Sequence, residues 1–209
     1  QIIILLAIVS MIWGSLAAIW QTNIKRMMAY SSIGHMGFAL VGVAAGSEAG
    51  VAGCLVYLAT YVVMNLGAFA LILSMKRGGQ PVETIADIAG LSRDRLPMAL
   101  ALLVVFFSMA GIPPLAGFFG KFLVFTAAIE AGFWWLAVIG LVTSVLSAFY
   151  YIRVIKVAFF DEPGEDGGFD ASDISLRTVY GASAVFLLIF IAFVGYVIDW
   201  AGASAGVFA

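Results

Sequence analysis

Residues 108–121 read Ser108-Met109-Ala110-Gly111-Ile112-Pro113-Pro114-Leu115-Ala116-Gly117-Phe118-Phe119-Gly120-Lys121, a glycine-rich stretch broken by two prolines. The surrounding apolar run covers residues 97–129 and would be about 50 Å long as one straight helix. The hydrocarbon core of a membrane is only about 30 Å thick. Consecutive prolines remove two backbone donors and clash with the preceding turn. The stretch therefore predicts two half-helices that meet inside a membrane near Gly111, Pro113 and Pro114, with Lys121 just past the break.

The composition predicts an all-α polytopic membrane protein. Of the 209 residues, 64% are apolar and 11% are charged, which no water-soluble domain could cover with a polar surface. Helices are expected because lipid cannot satisfy open backbone groups, and no segment alternates as a barrel strand does. Each apolar segment is long enough to span a bilayer. We predict six transmembrane spans, the fourth of them broken: 2–20, 27–45, 51–75, 97–129, 133–160 and 179–200.

The basic residues predict the topology. All but one of the ten fall on the odd-numbered connections between these spans: Lys25, Arg26, Lys76, Arg77, Arg93, Arg95, Arg153, Lys156 and Arg177. Basic residues favour the cytoplasmic side. The odd-numbered connections are therefore predicted to be cytoplasmic and both termini of this chain periplasmic. Lys121 is the one basic residue left inside a span.

Two connections have features of their own. In residues 82–91, Ile85, Ile88 and Leu91 share one helical face opposite Glu83 and Asp87, so we predict a short amphipathic surface helix that stops near Gly90. Residues 161–168 form an acidic, turn-rich loop, for which a solvated linker is the expected structure.

Lys121 is the strongest functional candidate, because a charged group in hydrocarbon is costly. The alternative is snorkelling of the ammonium to the interface. Lys121 lies eight residues before Ile129, or about 12 Å along a helix, which is deep for snorkelling. Burial disfavours the ammonium form, so a lysine at this depth can gain and lose a proton. The open backbone groups at the break, with Gly117 and Gly120 allowing close approach, are expected to coordinate water or an ion.

Other polar residues in the spans are candidate relay groups. His35 lies about two turns into the second span, as a proton relay or as a satisfied packing group. Residues three or four apart share a helical face, which forms two polar stripes beside Lys121. They hold either a file of waters or only hydrogen bonds between helices. The stripes consist of Tyr57, Tyr61 and Asn65 on span three, and of Ser144, Ser147 and Tyr151 on span five.

The remaining polar features give weaker signals. Lys25 and Arg26 at the predicted cytoplasmic edge are interface anchors or an entry funnel for protons. There is no phosphate-binding glycine loop and no paired-cysteine motif, and one histidine cannot build a metal or haem site. We therefore expect no cofactor, metal or nucleic acid on this chain.

Two motifs resemble one known family. They are Gln21-Thr22-Asn23-Ile24-Lys25-Arg26-Met27-Met28-Ala29-Tyr30-Ser31-Ser32-Ile33-Gly34-His35-Met36-Gly37, and Ala110-Gly111-Ile112-Pro113-Pro114 followed by Gly117-Phe118-Phe119-Gly120-Lys121-Phe122. Both resemble the antiporter-like subunits of respiratory complex I and of multisubunit sodium/proton antiporters. The resemblance covers nearly the whole chain.

The resemblance implies one membrane domain, in which residues 1–209 are the C-terminal part of a fourteen-helix subunit. Lys121 matches the family's lysine on the second broken helix, which is proposed to pass protons toward the periplasm; some subunits carry glutamate there. The glutamate and two lysines of the first broken-helix half would lie upstream of Gln1, so this chain alone would not pump.

The resemblance also implies the partners. They are the other membrane-arm subunits of a bacterial inner-membrane complex, the bilayer, water and protons, with flavin, iron–sulfur clusters and quinone held by partner subunits. A proton-translocating subunit of NADH-quinone oxidoreductase is the favoured interpretation. The alternatives are a sodium/proton antiporter subunit and a structural membrane scaffold in which Lys121 is merely paired to a carboxylate.

Overall fold

The computed structural model describes residues 1–163 and 168–206. Most of the described chain is helical. A short antiparallel hairpin interrupts the helices, with two residues in each strand, β1 (Lys76–Arg77) and β2 (Gln80–Pro81). The middle of the predicted acidic loop, residues 164–167, lies outside the described residues. The helices are α1 (Ile2–Ile19), α2 (Ile24–Ala44), α3 (Glu48–Ser74), α4 (Leu91–Asp94), α5 (Leu96–Ala110), α6 (Ala116–Glu130), α7 (Trp134–Phe160), α8 (Ile174–Ile189) and α9 (Val194–Ala205).

The predicted all-α polytopic membrane fold is confirmed. In the described ranges, five helical segments are long and apolar enough to cross a membrane: Ile2–Ile19, Ile24–Ala44, Glu48–Ser74, Trp134–Phe160 and Ile174–Ala192. The predicted broken span is the pair α5 and α6, which end and begin on either side of Pro113-Pro114. The peptide bond between these prolines is cis.

The last predicted span, 179–200, differs from the structure. Its helix begins earlier, at Ile174, and tightens into a 3-10 turn at Phe190–Ala192 before α9 starts. A 3-10 turn brings residues three apart into register, and here it stacks Phe190 edge-on against Phe193 with ring centroids 5.2 Å apart. Apolar composition is the same on both sides of this turn, which is why the sequence predicted one straight helix.

The predicted surface helix at 82–91 is also corrected. Only a single 3-10 turn forms, at Ala86–Ile88, because the residues before it pair their backbone with the start of α2. Ile24 N–H donates to Glu83 O at 2.9 Å, and Ile85 N–H donates to Thr22 O at 2.8 Å. Gly90 then turns the chain with a φ of +80°. The predicted apolar face of Ile85, Ile88 and Leu91 is nevertheless buried.

The three odd-numbered connections meet at one end of the bundle. The pairing of 22–24 with 83–85 joins the first to the third, and Asp170 N–H donates to Lys76 O at 2.9 Å to join the third to the fifth. Arg95 donates two hydrogen bonds to Phe169 O. The nine basic residues that the sequence grouped together therefore lie at the same end.

Helix α3 forms the centre of the bundle, in contact with α2, α5, α6, α8 and α9. Small residues allow a close crossing between α1 and α2. A Cβ on Gly14 would lie 2.4 Å from Gly34 N, so the two backbones touch where any larger residue would push them apart.

Candidate functional site

The site begins with the way in which α5 ends. Gly111 has a φ of +88°, and its N–H donates to Ser108 O while Ile112 N–H donates to Phe107 O. This is a Schellman motif, which satisfies two of the last open carbonyls of the helix. The carbonyls of Met109 and Ala110 remain, and they lie at the negative end of the helix dipole.

Lys121 fills this position from α6. Its Nζ donates to Met109 O and to Ala110 O, both at 3.1 Å, and to Ser144 Oγ of α7 at 2.8 Å. The side chain is 5% exposed. An ammonium has three donors, so each is satisfied by neutral oxygen. The described residues contain no carboxylate within ion-pair distance of Lys121.

Two glycines allow the half-helices to approach this closely. A Cβ on Gly117 would lie 1.9 Å from Ser108 O, and one on Gly120 would lie 2.8 Å from a ring carbon of Tyr57. Gly117 N–H also donates to Ser108 Oγ at 3.0 Å. This contact joins the start of α6 to the end of α5 and positions Lys121 over the open carbonyls.

His35 forms a second buried centre, on α2. Its Nδ1 lies 2.7 Å from the Tyr57 hydroxyl and its Nε2 lies 3.0 Å from the Tyr151 hydroxyl. The Ser31 hydroxyl is hydrogen-bonded to Tyr151. Both ring nitrogens therefore have partners that can donate or accept, so either tautomer of the imidazole is satisfied.

A file of hydroxyl side chains on α7 lies between the Lys121 centre and the His35 centre; it consists of Ser144, Ser147, Tyr150 and Tyr151. Tyr150 packs its ring against that of Tyr151, with the centroids 4.6 Å apart, and the Tyr151 hydroxyl lies 3.0 Å from His35 Nε2. Ser144 bonds Lys121 at the other end of the file. The Ser147 hydroxyl donates to Thr143 O at 2.9 Å, and no described hydrogen bond joins Ser144 to Ser147. Residues three apart are neighbours on a helix face, so Ser144, Ser147 and Tyr150 follow one another along α7, without a continuous chain of hydrogen bonds among the described residues.

Phe38 is the other link between the centres. Its ring centroid lies 4.8 Å from Lys121 Nζ and 6.0 Å from the His35 ring. An aromatic face attracts a cation by about 0.5 to 2 kcal/mol, and most where water is excluded. Phe38 is 1% exposed, so the Lys121 ammonium has an apolar but electrostatically favourable neighbour on this side.

The structure places the other sequence candidates at increasing distance from this network. Tyr61 packs its ring 5.0 Å from that of His35. Asn65 lies outside the network, and its buried Oδ1 accepts no hydrogen bond within the described part of the chain. Lys25 forms a surface ion pair with Glu83 at 3.5 Å, and Arg26 is exposed. The last two occupy the basic end as anchors would.

Sequence reasoning missed several contributors. Ser31 and Phe38 lie four residues before and three residues after the predicted His35, a spacing that puts all three on one face of α2, and that pattern was available in the sequence. Tyr150 was not among the predicted relay residues. The two carbonyls that bind Lys121 carry no sequence signal beyond the glycine that follows them.

A cavity of about 250 Å³ lies beside Lys121. It is lined by Lys121 and Ser144 at its deep end, and by Thr126 and Ile129 farther along α6. The described residues contain no group of three His, Cys, Asp or Glu side chains that could hold a metal ion. The polar groups of the site are thus suited to hydrogen bonding and proton exchange.

The sequence of the chain is similar to those of known membrane subunits. Residues 1–147 match the family model described as "NADH:quinone oxidoreductase/Mrp antiporter, TM". NADH-quinone oxidoreductase subunit N of Granulibacter bethesdensis is 55% identical over 196 residues, which cover 92% of this chain and 41% of the relative. Subunit N of Rhodospirillum rubrum is also 55% identical, over 98% of this chain and 42% of the relative. The chain thus spans about two fifths of the length of these relatives.

Solved structures share the fold. A chain of respiratory complex I from Thermus thermophilus, solved with bound aureothin, superposes with a TM-score of 0.82 at 35% identity, over 94% of this chain and 44% of that chain. A chain of the Mrp complex from Dietzia superposes with a TM-score of 0.84 at 20% identity, over 98% of this chain and 46% of that one. The second likeness shows the fold alone.

Proposed function

Because the chain belongs to the NADH:quinone oxidoreductase/Mrp antiporter transmembrane family, we propose that it works as part of a proton-translocating membrane subunit of a bacterial NADH-quinone oxidoreductase. The observation that carries the proposal is the buried Lys121, held by three neutral oxygens at a break between two half-helices. The relatives at 55% identity are N subunits of that enzyme, which favours the oxidoreductase over a sodium/proton antiporter.

Lys121 is the proton-loading site in this proposal. The charged form is stabilised by the carbonyls of Met109 and Ala110, by Ser144 and by the ring of Phe38. Burial opposes the same charge. With no carboxylate beside it to fix the ammonium, the balance between the two forms is open to a charge that arrives nearby. A neighbour in the complex can therefore load or unload the lysine.

The proton reaches Lys121 through the network around His35. His35 exchanges a proton with the hydroxyls of Tyr57 and Tyr151, and the path continues along α7 past Tyr150 and Ser147. A bridging water molecule, or rotation of the Ser147 hydroxyl, would complete the path to Ser144. Tyr61 borders this path through its contact with the His35 ring, and Asn65 has an open oxygen that a path-lining water would satisfy.

The proton leaves toward the end that carries Glu130. The cavity beside Lys121 follows Thr126 and Ile129 in that direction. The opposite end carries the nine basic residues and faces the cytoplasm, which makes the exit periplasmic and both termini of this chain periplasmic. Redox chemistry belongs to partner subunits that hold flavin, iron–sulfur clusters and quinone.

The test is Lys121→Met in the complete complex, which keeps the length of the side chain and removes the charge. NADH-driven proton pumping into membrane vesicles is expected to fall at least tenfold relative to the wild type. Lys156→Met is the matched control, because Lys156 lies at the end of α7 with its charge paired to Asp161 at 2.5 Å on the surface. Native gels show whether each complex assembles. Full pumping by an assembled Lys121→Met complex would favour a structural scaffold and contradict the proposal.

A further inference from the structure

A groove between α5 and α8 faces outward from the bundle, away from the proton network. Its lining is apolar along most of its length, with Leu100, Val104 and Leu188 among the residues that form it. Leu100 and Leu188 are each about half exposed. The groove begins at Pro97 and Arg177, at the basic end of the bundle.

Sequence spacing explains why this surface is continuous. On α8, Arg177, Gly181, Val185 and Leu188 follow one another at four, four and three residues, which keeps them on one helical face. On α5, one helical face is likewise shared by the residues at spacings of three, one and three: Pro97, Leu100, Ala101 and Val104. Both helices run inward from the basic end. The apolar part, from Pro97 to Val104, is about 10 Å long at 1.5 Å per residue, which fits within one leaflet of the bilayer.

A polar cavity of about 240 Å³ adjoins the head of the groove. The groove and the cavity share Pro97, Arg177 and Tyr180. The cavity adds two opposite charges, Asp94 and Arg95, to the shared residues. A headgroup and an acyl chain would therefore find adjoining polar and apolar sites.

The charged side chains in the cavity indicate which kind of lipid headgroup would fit there. Arg95 is engaged by Phe169 O, whereas the Arg177 side chain forms no hydrogen bond or ion pair within the described ranges, so its guanidinium can bind a phosphate. Asp94 accepts the Phe169 N–H with Oδ2, and its Oδ1 accepts no hydrogen bond from a described residue. A carboxylate beside a free arginine matches a headgroup that carries both a phosphate and an ammonium.

We propose that this site binds a phospholipid with a primary-amine headgroup, of the phosphatidylethanolamine class. The phosphate accepts hydrogen bonds from Arg177, the ammonium donates to Asp94, and one acyl chain lies in the groove against Gly181 and Leu100. A headgroup with no ammonium leaves Asp94 unpaired, and a trimethylated ammonium has no N–H to donate. The site is separate from the proton path, so it does not depend on the pumping role of Lys121.

Three variants test the site in the complete complex. Arg177→Gln removes the phosphate donor, and Asp94→Asn keeps an oxygen for Phe169 N–H while removing the charge. Gly181→Leu fills the groove without an internal clash, since a Cβ at Gly181 meets nothing within 4 Å. The matched controls are Arg93→Gln, an exposed arginine that does not line the groove or its cavity, and Gly195→Leu, which is equally open on α9.

The readouts are lipid retention and lipid-dependent thermal stability. Delipidated complexes are heated with phosphatidylethanolamine, phosphatidylcholine or phosphatidylglycerol, and retained lipid is counted by mass spectrometry. The wild type and both controls are expected to gain most from phosphatidylethanolamine. Arg177→Gln and Gly181→Leu should retain at least one lipid fewer per complex, and Asp94→Asn should lose the preference for the primary amine.

Two results would overturn the proposal: equal gains from the three lipids in the wild type, or unchanged retention in both Arg177→Gln and Gly181→Leu. A Lys121→Met complex should bind lipid as the wild type does, so failure of the pumping proposal and failure of the lipid site are seen separately.

Discussion

At the scale of single residues, Lys121 shows how a buried lysine can be held with no counter-ion among the described residues. Three neutral acceptors and an aromatic face replace the water that the ammonium would lose. A carboxylate at the same place would favour the ammonium more strongly through its charge. The neutral set stabilises the ammonium more weakly, as a residue that loads and releases a proton requires.

A substitution of His35 tests directly whether this side chain relays protons or only packs in the core. His35→Gln retains hydrogen-bonding groups for the Tyr57 and Tyr151 hydroxyls but cannot exchange a proton near neutral pH. We expect an assembled complex whose NADH-driven pumping falls by about tenfold or more, since proton-transfer groups typically contribute about 10²- to 10⁴-fold to a rate. Pumping is measured by the quenching of a pH-sensitive dye in membrane vesicles.

A buried serine supplies the control for that variant. Ser74 donates to Ala70 O within its own helix, so Ser74→Ala removes a buried hydroxyl without touching the network and should pump normally. If His35→Gln also pumps normally, the histidine only packs, and the proton path does not pass through it.

At the scale of elements, the break between α5 and α6 depends on glycines as well as prolines. A Cβ at Gly117 would lie 1.9 Å from a backbone oxygen of α5, which cannot move without unwinding the Schellman turn. Gly117→Ala is expected to destabilise this crossing by about 3 kcal/mol, at the upper end for overpacked cores. The measurement is the thermal midpoint of the complex in detergent. The yield of assembled complex on native gels should fall in parallel.

The matched substitution for Gly117→Ala is Gly195→Ala on α9, where the added methyl group meets open space. It should leave the midpoint within about 1 °C of the wild type, because an exposed helical Gly→Ala change is worth no more than about 1 kcal/mol. Equal midpoints for the two variants would show that the half-helices tolerate a wider separation, and that Lys121 is not positioned by this crossing.

The elements also show what the sequence can and cannot predict. Span lengths, the broken helix and the isolated lysine follow from apolar runs, Pro113-Pro114 and the basic residues, because each is a local property of the chain. The partners of Lys121 cannot be predicted in this way. Two of them are backbone carbonyls, and the third is the hydroxyl of Ser144, which lies 23 residues later on another helix. The extended backbone at 82–85 escaped prediction for a similar reason, since its hydrogen bonds go to residues 22–24.

At the scale of the whole molecule, the basic end is tied together by arginines that cap backbone carbonyls. Arg153 of α7 donates to Ile19 O at 2.9 Å and to Gln21 O at 2.5 Å, which closes the open end of α1. Arg95 does the same for Phe169. The opposite end has only short turns, at 45–47 and 131–133. The basic end is therefore the more extensively hydrogen-bonded end of the bundle, and it can hold the half-helices in place.

The two ends also give the sharpest test of orientation. Arg93 and Glu130 are exposed at opposite ends of the bundle, and the buried Cys54 is this chain's only cysteine. In a Cys54→Ala background, Arg93→Cys should react with a membrane-impermeant maleimide only in inside-out vesicles, and Glu130→Cys only in intact spheroplasts. Labelling of this subunit's band is compared before and after detergent, which exposes both sites. The opposite pattern would reverse the topology, and the cavity beside Lys121 would then open toward the cytoplasm as an entry for protons.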